Sequence, residues 1–383
     1  DVANAIGNPD AESAGFSFLA TVLAPAETSV FLEYGTAADT GRFLIGKIPG
    51  TRDQKELLVY AIEDPKSIGN LRHFKQRHVR STRKAYPQAV YQQKVDVIVP
   101  VYNGLEYFDA LFSGIEKTKV PYRLIIVNDK SPDPEVGNYL EKYAAEHDNV
   151  VLLNNETNMG FLPSVNRGLK MAENHVALVN TDVEVPEEWL ERLMLPIFAK
   201  ENIATTTPFT TCGTICSFPD FCRDNKLFEG MTLWEIDDEF RMIRPQYPAM
   251  PTGVGFCMGM NLKAIQEVGL LDEENFGKGY GEENDWCQRA IAAGYENVHV
   301  DNLFVYHKHG GSFPSEEKQR LLKEHSEALL RKHPDYNKDT ADYCRRDPLR
   351  PVRLYVEMKL LNRKLDVPTI VAFDQCLLYT SPS

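Results

Sequence analysis

Apolar and polar positions alternate in two different ways along this chain, and the change falls at residue 94. Before it, short apolar runs at 16–23, 29–34, 43–48 and 57–62 are separated by Gly, Pro, Asp and Thr. That pattern predicts a partial β-rich, sandwich-like module over residues 1–62. Residues 63–93 turn basic, with Arg72, Lys75, Arg77, Arg80, Arg83 and Lys84 close together, and read as a basic helical linker. From 95 to 101 the run is almost continuously apolar, as a strand buried on both faces requires. Leu105, Phe108, Phe112 and Ile115 follow at helical spacing. Strands are then predicted at 122–127, 150–153 and 175–179, with helices at 135–146 and 163–173, the latter opened by Pro163. Strands alternating with helices predict an α/β fold over 94–313, a mostly parallel sheet with helices on both faces. Residues 314–375 are expected as a C-terminal helical extension. It opens with an amphipathic helix at 316–333 whose Leu321, Leu322, Leu329 and Leu330 are available for packing.

Composition narrows the function. The 383 residues, 43% hydrophobic and 25% charged, suit a globular protein with one large and one smaller domain. The net charge of -13 argues against a nucleic-acid partner, because backbone phosphates are repelled on average. A small phosphorylated ligand stays compatible with it if local groups or a divalent cation hold the phosphates. Seven scattered cysteines favour a reducing compartment, and Cys212, Cys216 and Cys222 read as free thiols rather than a zinc site, with no histidine among them. With no bilayer-length apolar run and no signal-peptide pattern, the expected location is cytoplasmic. The basic stretch leaves open a peripheral association with the inner face of an anionic membrane. Residue 1 is Asp rather than Met, so the chain is expected to begin inside a longer protein, and 376–383 is expected to be a non-native tail that resembles adapter read-through.

In an open α/β sheet, ligands bind beyond the carboxyl ends of the strands. Those ends are polar: Pro100, Tyr102 and Asn103 after the first strand, Asn128 and Asp129 after the second, Asn180, Thr181 and Asp182 after the fourth. Singly, Asn and Asp there start turns and cap helices; their convergence on one edge points to a ligand. Neither a Gly-x-Gly-x-x-Gly turn nor a Gly-Lys-Ser/Thr loop is present, so phosphates need another source of positive charge. A divalent cation, Mn2+ or Mg2+, on Asp182 is the natural candidate. A second cluster, Glu282, Glu283 and Asp285, follows two glycines and precedes Trp286. A partly desolvated carboxylate in that turn has the raised basicity a general base requires. His307, at the end of an apolar strand and near Gly310 and Gly311, is a metal-ligand candidate.

Taken in order, these residues resemble the family 2 inverting glycosyltransferases of GT-A fold. Val99 to Asn103, Val127 to Ser131, Asn158 to Phe161 with Asn166 and Gly168, Val179 to Asp182, Glu282 to Asp285, and His307 with Gly311 and Ser312 carry the match. The pattern is most similar to bacterial surface-polysaccharide enzymes of the rhamnosyl- and galactofuranosyltransferase type. The resemblance implies a GT-A fold and single-displacement transfer from a UDP-, dTDP- or GDP-linked sugar to a glycan or lipid-linked glycan hydroxyl. It implies that Pro100, Tyr102, Asn103, Asp129, Ser131, Asn158, Gly160, Phe161, Asn166, Asn180, Thr181 and Glu282 line the nucleotide-sugar site. It implies Asp182 and His307 as metal ligands, Glu283 as the base, and Asp285 as the organiser of its loop or of the acceptor. The family's first acid is Asn at both 128 and 180. The segments 208–224 and 252–260 would build the acceptor side. A catalytically degenerate carbohydrate-binding module and a sugar nucleotidyltransferase are the competing readings; the latter needs a basic Gly-rich loop where this chain has Tyr102-Asn103-Gly104-Leu105.

Overall fold

The computed structural model describes residues 86–308 apart from 278, residues 315–364, and six further strands toward the chain ends. The chain divides into two compact units, residues 80–356 and residues 1–79 with 357–383. In the smaller unit β1 (Ser17–Thr21), β2 (Thr28–Gly35), β3 (Thr40–Ile48), β4 (Val59–Ile62) and β5 (Arg72–Phe74) form two antiparallel sheets. One is the β2–β3 hairpin, and in the other β1 lies between β4 and a strand from the far end of the chain, Val371–Gln375. Two expectations change here. Arg72–Phe74, inside the stretch read as a helical linker, is extended, because its backbone completes the edge beside Val59–Ala61. The C-terminal extension likewise ends in a strand rather than a helix.

The larger unit follows the predicted alternation. Its first half runs β6 (Val95–Val101), α1 (Leu105–Glu116), β7 (Tyr122–Asn128), α2 (Pro134–Glu146), β8 (Val150–Asn154), α3 (Phe161–Met171), β9 (His175–Val179) and β10 (Val183–Glu184). There follow α4 (Trp189–Ala199), β11 (Ile203–Phe209), α5 (Leu233–Phe240), β12 (Ala249–Met250), β13 (Cys257–Met260), α6 (Leu262–Val268), α7 (Glu273–Phe276) and α8 (Glu282–Ala292). It closes with β14 (Glu296–Phe304), β15 (Tyr306–His307), α9 (Ser315–Lys332), α10 (Tyr336–Arg346) and α11 (Arg350–Lys364). None of the described helices is long and apolar enough to cross a membrane.

Eight strands form one mixed sheet in the order β12-β14-β11-β13-β9-β6-β7-β8. Neighbours β9, β6, β7 and β8 are parallel, as are β11 and β14, while β13 and β12 run against them. The apolar run of β6 is continuous because both its faces are covered. Val95, Val97, Val99 and Val101 join Phe108, Phe112, Leu140 and Leu190 in one core, and Ile98 joins Leu162, Val165 and Trp286 in the other. The fold is therefore α/β, with helices on both faces of a mostly parallel sheet. Helix α3 sits two residues earlier than its apolar spacing predicts. Its end is set by Asp96, buried in β6, which accepts the backbone N–H groups of Glu173 and Asn174 at 2.7 and 3.0 Å and so pulls them out of the helix.

Candidate active site

The carboxyl ends of β6, β7, β9, β11 and β14 lie along one edge of the sheet, and β13, running the other way, begins there. Three polar groupings occupy that edge.

The first is built on the turns after β6 and β7. Asn103 takes a left-handed φ of 61° and Gly104 one of 83°, a reversal that an Asn-Gly pair adopts readily. The N–H of Asn103 donates to Ser131 Oγ at 3.1 Å, and Ser131 Oγ donates to Asn128 Oδ1 at 2.9 Å. Asn128 Nδ2 donates in turn to Asn154 Oδ1 at 3.0 Å, so an amide does here what a carboxylate could not, accepting on one side and donating on the other. Asp129 is 3% exposed and accepts from the N–H groups of Met159 and Gly160, both at 2.8 Å, and from Asn155 Nδ2 at 2.6 Å. It thereby fixes the loop that carries Asn158, Gly160 and Phe161 into α3. Tyr102 stands 50% exposed over this turn, while Pro100 is buried in β6.

The second grouping follows β9. Strands β10 and β15 pair Val183 with His307, which brings Asp182 Oδ1 within 3.2 Å of His307 Nε2. The His307 ring lies flat on Phe256, with centroids 5.3 Å apart. Lys308 pairs with Glu184 at 2.6 Å and lies over the Tyr107 ring. Thr181 borders Gly104, so the first two groupings adjoin. No group of three or more His, Cys, Asp or Glu able to hold a cation occurs among the described residues. A metal on Asp182 and His307 would therefore take its other ligands from substrate and water. His309, Gly311 and Ser312 lie outside the described residues.

The third is the acid turn. Gly279, Tyr280 and Gly281 all have left-handed φ, 101°, 69° and 114°. This reversal starts α8 with Glu282 and Glu283 in its first turn, where the helix dipole favours negative charge. Asn284 ties α8 to the sheet edge, accepting from Thr252 Oγ1 at 2.8 Å in the loop before β13. Burial, together with the charge of Glu283, pushes Glu282 well above the usual carboxylate range; burial pushes Glu283 up as well. Burial also works to raise Asp285, but hydrogen bonds from Lys332, His333 and Arg289 outweigh it and hold that carboxyl below its ordinary value. The nitrogens lie at 2.7, 2.8 and 2.8 Å. Asp285 is thus neutralised on every side and Glu283 is not. Asn103 Oδ1, Asn180 Oδ1, Glu282 Oε2 and Glu283 Oε2 are buried oxygens with no hydrogen-bond partner among the described residues. Such atoms cost free energy unless a ligand satisfies them.

Asn166 departs from the expected nucleotide site. It is 1% exposed, and its amide donates to Leu271 O and Glu273 Oε1 while accepting from Leu271 N–H. It clamps α3 to the segment before α7. Three residues of this edge escaped the sequence reading: His325, Lys332 and His333. His325 Nδ1 bonds to the carbonyls of Gly279 and Tyr280 at 2.7 and 3.0 Å, and the other two meet Asp285. The apolar spacing of α9 signals a packed helix and nothing about these polar contacts.

The α/β sheet thus presents one polar edge with a carboxylate–imidazole pair and a desolvated acid at a helix start. Residues 96–269 match the model of glycosyl transferase family 2. Over 129 residues the chain is 28% identical to a dolichol-phosphate mannosyltransferase of Pyrococcus furiosus, covering 33% of this chain and 36% of that protein. Over 111 residues it is 28% identical to an uncharacterized glycosyltransferase of Haemophilus influenzae, covering 28% and 34%. The matched stretch thus spans about a third of the length of these curated relatives. Among solved structures, mannosyltransferase PcManGT from Pyrobaculum calidifontis in complex with GDP-Man and Mn2+ is 14% identical, with 72% of this chain and 76% of that one covered and a TM-score of 0.47. S. aureus TarS 1-349 is 14% identical, with 70% and 92% covered and a TM-score of 0.41.

Proposed function

We propose that this protein transfers a sugar from a nucleotide-diphosphate sugar to a hydroxyl of a glycan or lipid-linked glycan, with inversion at the anomeric carbon. The observation that carries the reading is the contrast within one helical turn between Glu283 and Asp285. Asp285 is held ionised by three nitrogen donors, whereas Glu283 has an elevated affinity for protons and a buried oxygen with no partner among the described residues. That is the chemistry of a base waiting for an acceptor hydroxyl.

In the proposed step the acceptor oxygen forms a bond to the anomeric carbon while its proton passes to Glu283. The bond from that carbon to the diphosphate breaks, and the nucleoside diphosphate leaves with the electron pair. Glu282, whose affinity for protons is raised by burial and by the charge of Glu283, is suited to donate a hydrogen bond to the sugar when protonated. The turn held by Asp129 and Ser131 would receive base and ribose, with Asn103 and Asn180 offering their unpartnered oxygens to hydroxyls. Asp182 and His307 would hold the divalent cation, Mn2+ or Mg2+, which when bound supplies positive charge to the departing diphosphate.

The test is a panel of UDP-, dTDP- and GDP-linked sugars with glycan acceptors, read as nucleoside diphosphate released. We expect one nucleotide to be released only when acceptor is present, with loss of release on chelation and in Asp182→Ala. Binding of a nucleotide sugar without release for any donor would leave a carbohydrate-binding module instead, and release insensitive to chelation would remove the metal from the reading.

A further inference from the structure

Cys222 and Cys344 are separated by 122 residues in the chain, yet their sulfurs lie 3.7 Å apart. Each is delivered by a well-braced element. Cys222 lies in the loop between β11 and α5, where it has a left-handed φ of 57° and its N–H donates to Thr214 O at 3.1 Å. Asn225 fastens that loop by donating to the carbonyls of Thr211, Asp220 and Arg223 and accepting from the N–H of Asp220. Cys344 lies on α10 next to Tyr343, which is 1% exposed and anchors that helix. The Arg353 guanidinium, 4.3 Å above the Phe221 ring and ion-paired with Asp347, packs beside Cys222. Cys222 is exposed to solvent and Cys344 partly so, whereas Cys216, Cys257 and Cys287 are buried. A disulfide needs the sulfurs at about 2.05 Å, a closure that rotation of two short side chains can supply.

We propose that Cys222 and Cys344 form a modification site, a dithiol that closes to a disulfide by exchange with a low-molecular-weight disulfide. One protein thiolate attacks a sulfur of the reagent, forming a mixed disulfide and expelling one reagent thiol. The second protein thiol gives up its proton and attacks the protein-side sulfur of that adduct, expelling the other. Two protein thiols are oxidised and one disulfide is reduced to two thiols. The bond staples α10 to the loop that follows β11 at the polar edge of the sheet. Partial desolvation at the sulfur and the neighbouring Cys344 push the Cys222 thiol up to about 12 against the pull of Arg353, so the exchange is slow at neutral pH.

The test is equilibration of the full chain in oxidised and reduced glutathione, followed by alkylation and peptide mapping without reductant. We expect a crosslinked Cys222–Cys344 peptide that dithiothreitol removes. The oxidised protein should melt higher than the reduced one, by up to about 8 °C at the chain-entropy limit for such a loop. Cys344→Ser should abolish both effects and Cys212→Ser neither. Recovery of Cys222 and Cys344 as separate glutathione adducts or alkylated thiols would overturn the proposal, as would the same melting shift in Cys344→Ser.

Discussion

Asp285→Asn keeps the shape of a fully buried side chain and removes the charge that Lys332, Arg289 and the His333 ring address. Lys332 retains Asp272 at 2.6 Å, and Arg289 retains the carbonyls of Val268 and Leu270 at 2.7 and 2.9 Å. Hydrogen bonds to a charged group are worth roughly 1.5–3 kcal/mol each. Lys332 and Arg289 are 30% and 25% exposed, so part of their loss returns as hydration. The net cost is therefore about 3 kcal/mol, the low end for breaking a buried ion pair. For a unit of this size, with an m-value of about 3 kcal/mol per molar urea, the unfolding midpoint should fall by about 1 M. Trp286, fully buried beside Asp285 and donating to Gly269 O at 2.8 Å, supplies the fluorescence signal. The pH dependence has a definite sign. The folded pKa of Asp285 is depressed, so its contribution is complete above the unfolded carboxyl value and is lost as pH falls through the folded one. The gap between wild type and variant should be full at pH 7 and close below about pH 4. A midpoint change under about 0.2 M, or a gap that widens in acid, would refute this account of the acid turn.

Three further substitutions test the site and the packing around it. Glu283→Gln should lower kcat by about 10²–10⁴-fold with little change in donor affinity. Because burial raises the Glu283 pKa and the base must be ionised, wild-type kcat should climb with pH through a value above the ordinary glutamate one, and the variant should lack that limb. Gly168→Ala would place a Cβ 2.6 Å from Ile98 Cγ2 in the α3–β6 packing and should cost about 1–3 kcal/mol, read as a drop in Tm. Gly137→Ala in α2 meets nothing within 4 Å and should be neutral or slightly stabilising.

The strands from β6 to β9 were legible because burial on both faces leaves a nearly unbroken apolar run, and their polar ends were legible because each run stops abruptly at Asn or Asp. β13 was not legible as a strand. It is four residues long and inserts antiparallel between β9 and β11, where Gly259 is required because a Cβ would lie 2.2 Å from Thr206 Oγ1. A packing demand of that kind leaves no period in the sequence. Asn166 carries a second role that its motif does not announce: its amide bonds to Leu271 and Glu273, more than a hundred residues away in the chain. Residues 332 and 333 read as an ordinary basic helix end, since no spacing rule links them to an aspartate 47 and 48 positions earlier.

The acid turn explains why so much chain is needed beyond the family match, which ends at residue 269. Three successive left-handed residues make a turn that cannot hold itself, since Tyr280 has a side chain that disfavours its φ of 69°. Stability must come from outside the turn, and His325 supplies it. Both of its partners are carbonyl oxygens, so Nδ1 must carry the proton and donate to Gly279 and Tyr280 together. Lys332 and His333 then fix Asp285 one helical turn further on. In the proposed reaction the donor would be held at the ends of β6, β7 and β9, whereas the orientation of Glu283 depends on α9 through the turn that His325 braces. Donor binding and proton removal would then be supported by different parts of one chain, with α9 serving the second.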